Sequence, residues 1–294
     1  MTRKLNARIL PLLSKLEYAA AHKPKRSWQA GIYRSLFKGK GMEFDGYRTY
    51  NSDDDANLID WKASVRTQET LVKQYVEERN VISYVLVDVS QSMVFGSTEQ
   101  LKCEYAAELA GALAYAILES DDTMGFGLFA NGPVFTQRLG KGPTQMYVFA
   151  KAILNPDNYG GVFNLGNAAN LLQSFLPPRA TVILISDFLG MPDNWDRPLS
   201  VLAQKYDVAA VMVLDPRDLA LPQEAMQVVL SHPVSGEQLL VDTAAIRQQY
   251  SQEAGAIIDH TAERLKRKGI DVLRLTTDKP FERPMRKFFL GRSH

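Results

Sequence analysis

The stretch VISYVLVDVSQSM, residues 81–93, decides the fold class of this chain. Its first half is a nearly continuous run of β-branched and apolar residues, which is typical of a strand covered on both faces. The run ends at Asp88, and two hydroxyl side chains, Ser90 and Ser92, follow at alternate positions. Alternate residues of an extended segment point to the same side, so these oxygens are expected to converge. They would suit a Mg²⁺-like ion, although a polar turn before the next helix would explain the same residues without a metal.

A second apolar run, ATVILIS at 180–186, ends in the same way, because Asp187 follows it directly. In an open parallel sheet, ligands bind beyond the carboxyl ends of the strands, where the strand order reverses. If the strands that end at Asp88 and Asp187 are neighbours at that point, both carboxylates and the two hydroxyls share one crevice.

The remaining pattern alternates strands with helices and predicts an α/β fold, a doubly wound and mostly parallel sheet of the Rossmann type. An N-terminal β-rich extension precedes it. The predicted elements are a helix from a capping box at Ser97 and Gln100 to about Glu119, a hairpin over 122–139 turning at Asn131-Gly132, helices at 143–154 and 165–175, a third buried strand at 207–215, a hairpin over 224–242 turning at 233–236, a helix at 243–269 and a last strand at 270–276.

Composition excludes several classes of site. The chain has 294 residues, of which 46% are hydrophobic, and a single cysteine, Cys103, so disulfides and thiolate zinc sites are excluded. Its four histidines are scattered and form no helix-spaced metal pair. No apolar run approaches the ~18 residues of a membrane span, and charged residues interrupt the N-terminal apolar positions. We therefore expect a cytoplasmic protein.

Charge is distributed unevenly along the chain. Residues 1–42 contain ten Lys or Arg and one acid, whereas the remaining residues contain 24 basic and 32 acidic side chains. A basic arm of this kind could contact nucleic acid, an anionic membrane or an acidic protein face. We favour the alternative in which the arm folds back onto the acidic body of its own chain.

The spacing Asp88-x-Ser90-x-Ser92 resembles the metal-ion-dependent adhesion site (MIDAS) of von Willebrand factor A domains. The resemblance implies that these residues and a later strand-end aspartate, matched by Asp187, hold Mg²⁺, with Mn²⁺ or Ca²⁺ as substitutes. The family loop often reads Gly-Gly-Thr, but the loop here is Gly160 to Asn164 and lacks the threonine. Asn164 is the candidate to supply an amide oxygen instead, and the expected affinity is weak.

Residues 39–78 resemble the signature of the domain of unknown function 58 family, bacterial von Willebrand A-like proteins often associated with MoxR-type AAA+ ATPases. The signature usually has Gly and Arg where this chain has Asp53 and Asn57. The resemblance predicts a basic arm with a β-rich extension at 1–80, an A-like domain at 81–276 and a basic tail at 277–294. The matching positions are Gly39, Gly41, Glu43, Phe44, Arg48, Tyr50, Asp54, Ile59, Asp60, Trp61, Lys62, Arg66 and Glu77.

The resemblance implies metal-dependent protein recognition without chemistry. We expect a non-enzymatic adaptor that binds a MoxR-type AAA+ ATPase, or a client protein, through an acidic residue that completes the metal shell. A metal-dependent hydrolase and a basic-arm nucleic-acid or membrane binder are the alternatives. No catalytic residue is predicted, and Gly125 to Ala130 match a dinucleotide-binding pattern only within an apolar strand, which is the wrong context.

Trp61 has two interpretations within the extension. It could be an exposed recognition anchor, or it could be buried and brace the extension against the sheet. We favour burial, because the apolar residues of 43–78 are too numerous for a free linker.

Overall fold

The computed structural model describes residues 43–51, 54–76, 81–190, 195–222, 224, 227–231 and 238–292. The expectations for the basic arm at 1–42, for Asp53 and for the turn at 233–236 lie outside these ranges. The described residues belong to two compact units, the smaller within Phe37–Val81 and the larger from Ile82 onward.

The smaller unit is a hairpin with one short helix between its strands. Strands β1 (Glu43–Thr49) and β2 (Leu71–Val76) pair in antiparallel fashion, and helix α1 (Trp61–Thr67) lies between them in the chain. The Asp60 carboxylate begins the helix by accepting hydrogen bonds from the backbone N–H groups of Lys62 and Ala63 at 3.1 Å each. An aspartate cap of this kind satisfies N–H groups that have no partner within the helix. The predicted extension is therefore built around paired strands.

Two of the family-signature positions form an ion pair that joins the end of β1 to the loop after it. The Arg48 guanidinium donates to both carboxylate oxygens of Asp54, at 2.5 Å each. This bidentate pair lowers the pKa of Asp54 to about 2. The signature therefore includes residues with a structural role in the hairpin.

Trp61 is 67% exposed, so the expectation that it is buried is wrong. The inward position of α1 belongs to Ser64, whose hydroxyl accepts from Leu71 N and donates to the Asp60 carbonyl, each at 2.8 Å. Val65, one turn after Trp61, is 79% exposed, so the two apolar side chains share an outer face of the helix.

The larger unit alternates strands and helices as predicted. Its elements are β3 (Ile82–Asp88), α2 (Lys102–Glu119), β4 (Thr123–Phe129), β5 (Pro133–Gly140), α3 (Pro143–Ile153), α4 (Leu165–Phe175), β6 (Thr181–Ser186), α5 (Asp196–Lys205), β7 (Asp207–Leu214), α6 (Pro216–Leu219), β8 (Gln227–Ser231), β9 (Gln238–Asp242), α7 (Thr243–Arg267), β10 (Asp271–Thr276) and α8 (Glu282–Gly291).

A six-stranded sheet forms the centre of this unit, in the order β10-β7-β6-β3-β4-β5. All neighbouring strands are parallel except β5, which is joined to β4 by the predicted hairpin. The order reverses between β3 and β6, which is the switch point where open α/β sheets bind ligands. The predicted doubly wound, mostly parallel sheet is confirmed. Strands β8 and β9 form a separate hairpin.

Helices cover both faces of the sheet. Leu86, Leu184 and Ala210 share a buried cluster with residues of α4, α5 and α7. The alternate residues, such as Val85 and Ile183, point to the opposite face and are fully buried as well. Helix α2 packs against the sheet. Burial on both faces explains why the central strands read as continuous apolar runs.

Three of the helices with ten or more residues differ from the sequence-based expectation. Helix α2 begins at Lys102 rather than near Ser97, because the Ser97 hydroxyl and N–H both donate to Asp215. Helix α5 was not predicted, since only two of its residues, Leu199 and Leu202, are buried. Helix α8 occupies the segment that was expected to be a tail. Among the described helices, none combines the length and the apolar content that a membrane crossing requires.

Candidate functional site

The crevice lies at the carboxyl ends of the two central strands. Asp88 is the last residue of β3, and Asp187 directly follows β6. The strands are hydrogen-bonded neighbours in parallel register, with Val87 opposite Ile185. The expected adjacency of the two strands is therefore confirmed, and both aspartates are completely buried.

Local hydrogen bonds fix the Asp88 carboxylate. One oxygen accepts from the backbone N–H of Ser90 at 2.8 Å, and the other accepts from the hydroxyl of Ser186 at 2.6 Å. The hydroxyl oxygens of Ser90 and Ser92 lie 3.2 Å apart as expected, but a 3₁₀ turn over Gln91–Met93 brings them together rather than the extended segment that was predicted. Burial, together with the negative charge of Asp187, raises the pKa of Asp88 to about 7.

The loop at 160–164 is attached to the same edge of the sheet. Gly160 N donates to the Val89 carbonyl at 2.8 Å, and Gln91 N donates to the Gly161 carbonyl at 2.9 Å. Both glycines have positive φ, +131° and +81°, which side chains with a Cβ rarely adopt. The amide oxygen of Asn164 accepts from Gly166 N at 3.1 Å and so caps helix α4.

Lys102 is a crevice residue that the sequence reasoning missed. Its ammonium donates to Asp187 Oδ2 at 2.8 Å and to Asp218 Oδ2 at 2.9 Å, and its side chain is only 2% exposed. Burial alone would lower the pKa of Lys102, but the two carboxylates outweigh it, so the pKa lies above its ordinary value. Lys102 therefore carries a positive charge inside the crevice.

A third strand-end acid, Asp215, was also missed. It follows β7, is completely buried, and accepts from Ser97 N at 2.7 Å and from the Ser97 hydroxyl at 2.5 Å. Its own N–H donates to Asp218 Oδ2 at 2.8 Å. A usable signal was present in the sequence, because the run DVAAVMVLD ends in an aspartate like the two earlier runs.

The donor set fits a hard divalent cation in its chemistry. Asp88 and Asp187 supply carboxylate oxygens, and Ser90 and Ser92 supply two converging hydroxyls, which are the ligand types that Mg²⁺ accepts. Each Asp88 oxygen accepts one short bond and retains further acceptor capacity. Within the described ranges, no group of three or more His, Cys, Asp or Glu side chains could hold a metal, so any ion here would depend on the hydroxyls.

The family model described as "Protein of unknown function DUF58" matches residues 46–259. The chain belongs to this family. Its DUF58 match begins within β1 and includes the rest of the hairpin and the crevice. The fold and the family are thus the ones that the sequence motifs predicted.

Two mycobacterial proteins are similar to this chain over different lengths. Over 267 residues, the chain is 30% identical to "Uncharacterized protein Rv1480" of Mycobacterium tuberculosis, covering 89% of this chain and 83% of that protein. It is 33% identical over 132 residues to "Uncharacterized protein MAV169" of Mycobacterium avium, covering 43% and 76%.

Solved structures resemble this DUF58 chain more loosely. The conserved hypothetical protein BatB from Bacteroides thetaiotaomicron is 19% identical with a TM-score of 0.46, covering 72% of this chain and 98% of that one. A von Willebrand factor type A protein from Catenulispora acidiphila is 17% identical with a TM-score of 0.37, covering 49% and 35%. Both TM-scores are below 0.5, so the fold is assigned from the strand order of the chain itself.

Proposed function

We propose that this DUF58 protein is a non-enzymatic adaptor that docks other proteins at the crevice between β3 and β6. The observation that carries the proposal is that Asp88 and Asp187 end neighbouring parallel strands at the switch point of the sheet, with the Ser90 and Ser92 hydroxyls directly after Asp88. Ligands of open α/β sheets bind at this position. None of these four residues is a histidine, and two carboxylates with two hydroxyls are the oxygen ligands that Mg²⁺ accepts.

A divalent ion held by these four residues would supply an open coordination position. A carboxylate of the partner would complete the shell, together with the waters that a bound Mg²⁺ normally retains. The partner we propose is a MoxR-type AAA+ ATPase or its client protein, and the support for it is the family resemblance of residues 39–78.

Exposed apolar side chains flank the crevice and suit a protein partner. Phe95 is 44% exposed and Val162 is 46% exposed. They belong to the two loops that are joined by the hydrogen bond from Gln91 N to the Gly161 carbonyl. Exposed apolar groups around a polar centre allow a partner to bury surface while its carboxylate reaches the ion.

The test is a pull-down of the purified MoxR-type ATPase with wild type and Ser92→Ala, in Mg²⁺ and in EDTA. Ser92 is half-buried, so its loss should spare the fold while it removes one ligand oxygen. We expect binding by wild type in Mg²⁺ only, and at least tenfold weaker binding by the variant. Ser174→Ala is the matched control, because Ser174 is an exposed serine at the far end of α4.

Equal binding in EDTA by wild type and Ser92→Ala would contradict the metal-dependent docking site. Metal-dependent turnover of phosphate esters that is lost in Ser92→Ala would instead favour the hydrolase.

A further inference from the structure

Lys102 stands at an unfavourable place for a lysine. It is the first residue of α2, where the positive end of the helix dipole disfavours a cation. Its ammonium is buried, which adds a desolvation cost. Two carboxylates, from Asp187 and Asp218, compensate for both costs. The positive charge at this position is therefore stabilised by the two carboxylates of the crevice and not by the helix.

The same ammonium occupies an oxygen that an ion would need. Asp187 Oδ1 accepts from Leu189 N at 3.0 Å, and Asp187 Oδ2 accepts from Lys102 Nζ at 2.8 Å. A divalent ion that binds Asp187 must share this carboxylate with Lys102 or displace it. Two cations a few ångströms apart in a buried site repel each other strongly.

We infer that Lys102 is the built-in counter-ion of the crevice and competes with a divalent ion for Asp187. The inference rests on the proposed metal-dependent docking site and gives its expected weak affinity a second cause in a specific residue. Two causes would weaken metal binding: the loop lacks the threonine ligand, and Lys102 adds a repulsive charge. Substitution of Lys102 alone separates the second cause from the first.

The experiment is calorimetric titration of Mn²⁺ into the full chain as wild type and as Lys102→Met, with the melting temperature measured at each metal concentration. Methionine keeps an unbranched side chain of similar length and removes the charge. We expect Lys102→Met to bind Mn²⁺ about tenfold more tightly or better, since the carboxylates lose their internal partner. We also expect a lower melting temperature without metal and a larger rise on adding Mn²⁺.

Two further variants control for charge and folding. Lys205→Met removes one cation outside the crevice, where Lys205 donates to the Gln173 carbonyl, and should leave Mn²⁺ affinity unchanged. Lys102→Gln also removes the charge but can still donate a hydrogen bond to Asp187, so it should bind Mn²⁺ more tightly than wild type while costing less stability. If Lys102→Met does not fold, Lys102→Gln decides: tighter Mn²⁺ binding supports the inference, and unchanged affinity overturns it.

Failure of the inference can be distinguished from failure of the proposed function. If wild type and Lys102→Met bind Mn²⁺ with equal affinity, the competition is overturned and the metal site stands. If folded wild type and folded Lys102→Met both leave Mn²⁺ unbound at millimolar concentration, the competition and the metal-dependent docking site are both overturned.

Discussion

Two opposing effects act on the ionisation of Asp88. Its carboxylate has fixed hydrogen-bond partners in Ser90 and Ser186, yet it is buried beside the negative charge of Asp187. The partners favour the ionised form, whereas burial and the neighbouring charge disfavour it more strongly. The consequence is a side chain whose charge changes near neutral pH, at the centre of the candidate site.

This balance predicts a pH-dependent stability in chelator. The folded pKa of Asp88, about 7, lies above that of an unfolded aspartate, about 3.9, so the native state binds the proton more tightly. The free energy of unfolding should therefore fall as pH rises from about 4 to about 7 and then level off. Asp88→Asn should remove this fall and exceed wild type at pH 8 by roughly 1–3 kcal/mol, measured by urea denaturation.

Asp121→Asn provides the control for this measurement. Asp121 is an aspartate whose side chain is 87% exposed, so the same substitution there should leave the pH profile unchanged. A wild-type profile that is flat between pH 5 and pH 8, or an Asp88→Asn profile with the same slope as wild type, would contradict the expectation.

At the scale of elements, the strands were predictable and the contacts between distant loops were not. The runs at β3 and β6 could be recognised because both faces of each strand are buried, and the switch-point rule then placed Asp88 beside Asp187. Ser97, however, looked like a helix cap, since the pattern of local residues cannot show that its hydroxyl binds Asp215. Lys102 was missed for the same reason, because its partners lie 85 and 116 residues away.

The glycines of β4 have a packing role, which agrees with rejecting the dinucleotide-binding pattern. A Cβ at Gly127 would lie 3.0 Å from the Tyr84 hydroxyl and 3.0 Å from Leu86 Cδ1. Tyr84 is fully buried and donates to the Phe126 carbonyl at 2.8 Å, so it has little freedom to move. The two strands therefore require a residue without a side chain at this position.

We accordingly predict opposite effects for two Gly→Ala substitutions. Gly127→Ala should lower the free energy of unfolding by about 1–3 kcal/mol through overpacking. Gly255→Ala should raise it by up to about 1 kcal/mol, because Gly255 lies in helix α7 and an added Cβ there meets nothing within 4 Å. Urea denaturation measures the free energy of unfolding of the two variants. A Gly127→Ala protein as stable as wild type would show that the Tyr84 side chain can move to accommodate the added Cβ.

At the scale of the whole molecule, the larger unit extends to the C-terminal helix. Sequence reasoning ended the A-like domain at 276, because the segment that follows is rich in Arg and Lys. In α8, however, Met285 and Phe289 are 2% and 1% exposed, and they lie one turn apart on the same face. Arg292 forms ion pairs with Asp207 and Asp271. The apolar face of α8 has too few residues to show a helical period in a segment that is otherwise rich in basic residues.

Phe289→Ala should therefore destabilise the larger unit by about 3–5 kcal/mol, the usual cost of emptying a buried aromatic site. Lys287→Ala, on the exposed face of the same helix, should change the free energy of unfolding by less than about 0.5 kcal/mol. Thermal denaturation of both variants measures the difference. Equal melting temperatures would mean that α8 is a separate tail after all.

The separation of the crevice residues along the chain has a consequence for biosynthesis. Lys102 and Asp218 are 116 residues apart, and Ser97 and Asp215 are 118 apart. At a translation rate of about 5–20 residues per second, Lys102 leaves the ribosome roughly 6–23 s before Asp218 does. Parallel strands also pair slowly, since distant segments must first meet. A nascent chain therefore lacks the assembled crevice, and a partner recruited by the proposed docking site would distinguish finished molecules from unfinished ones.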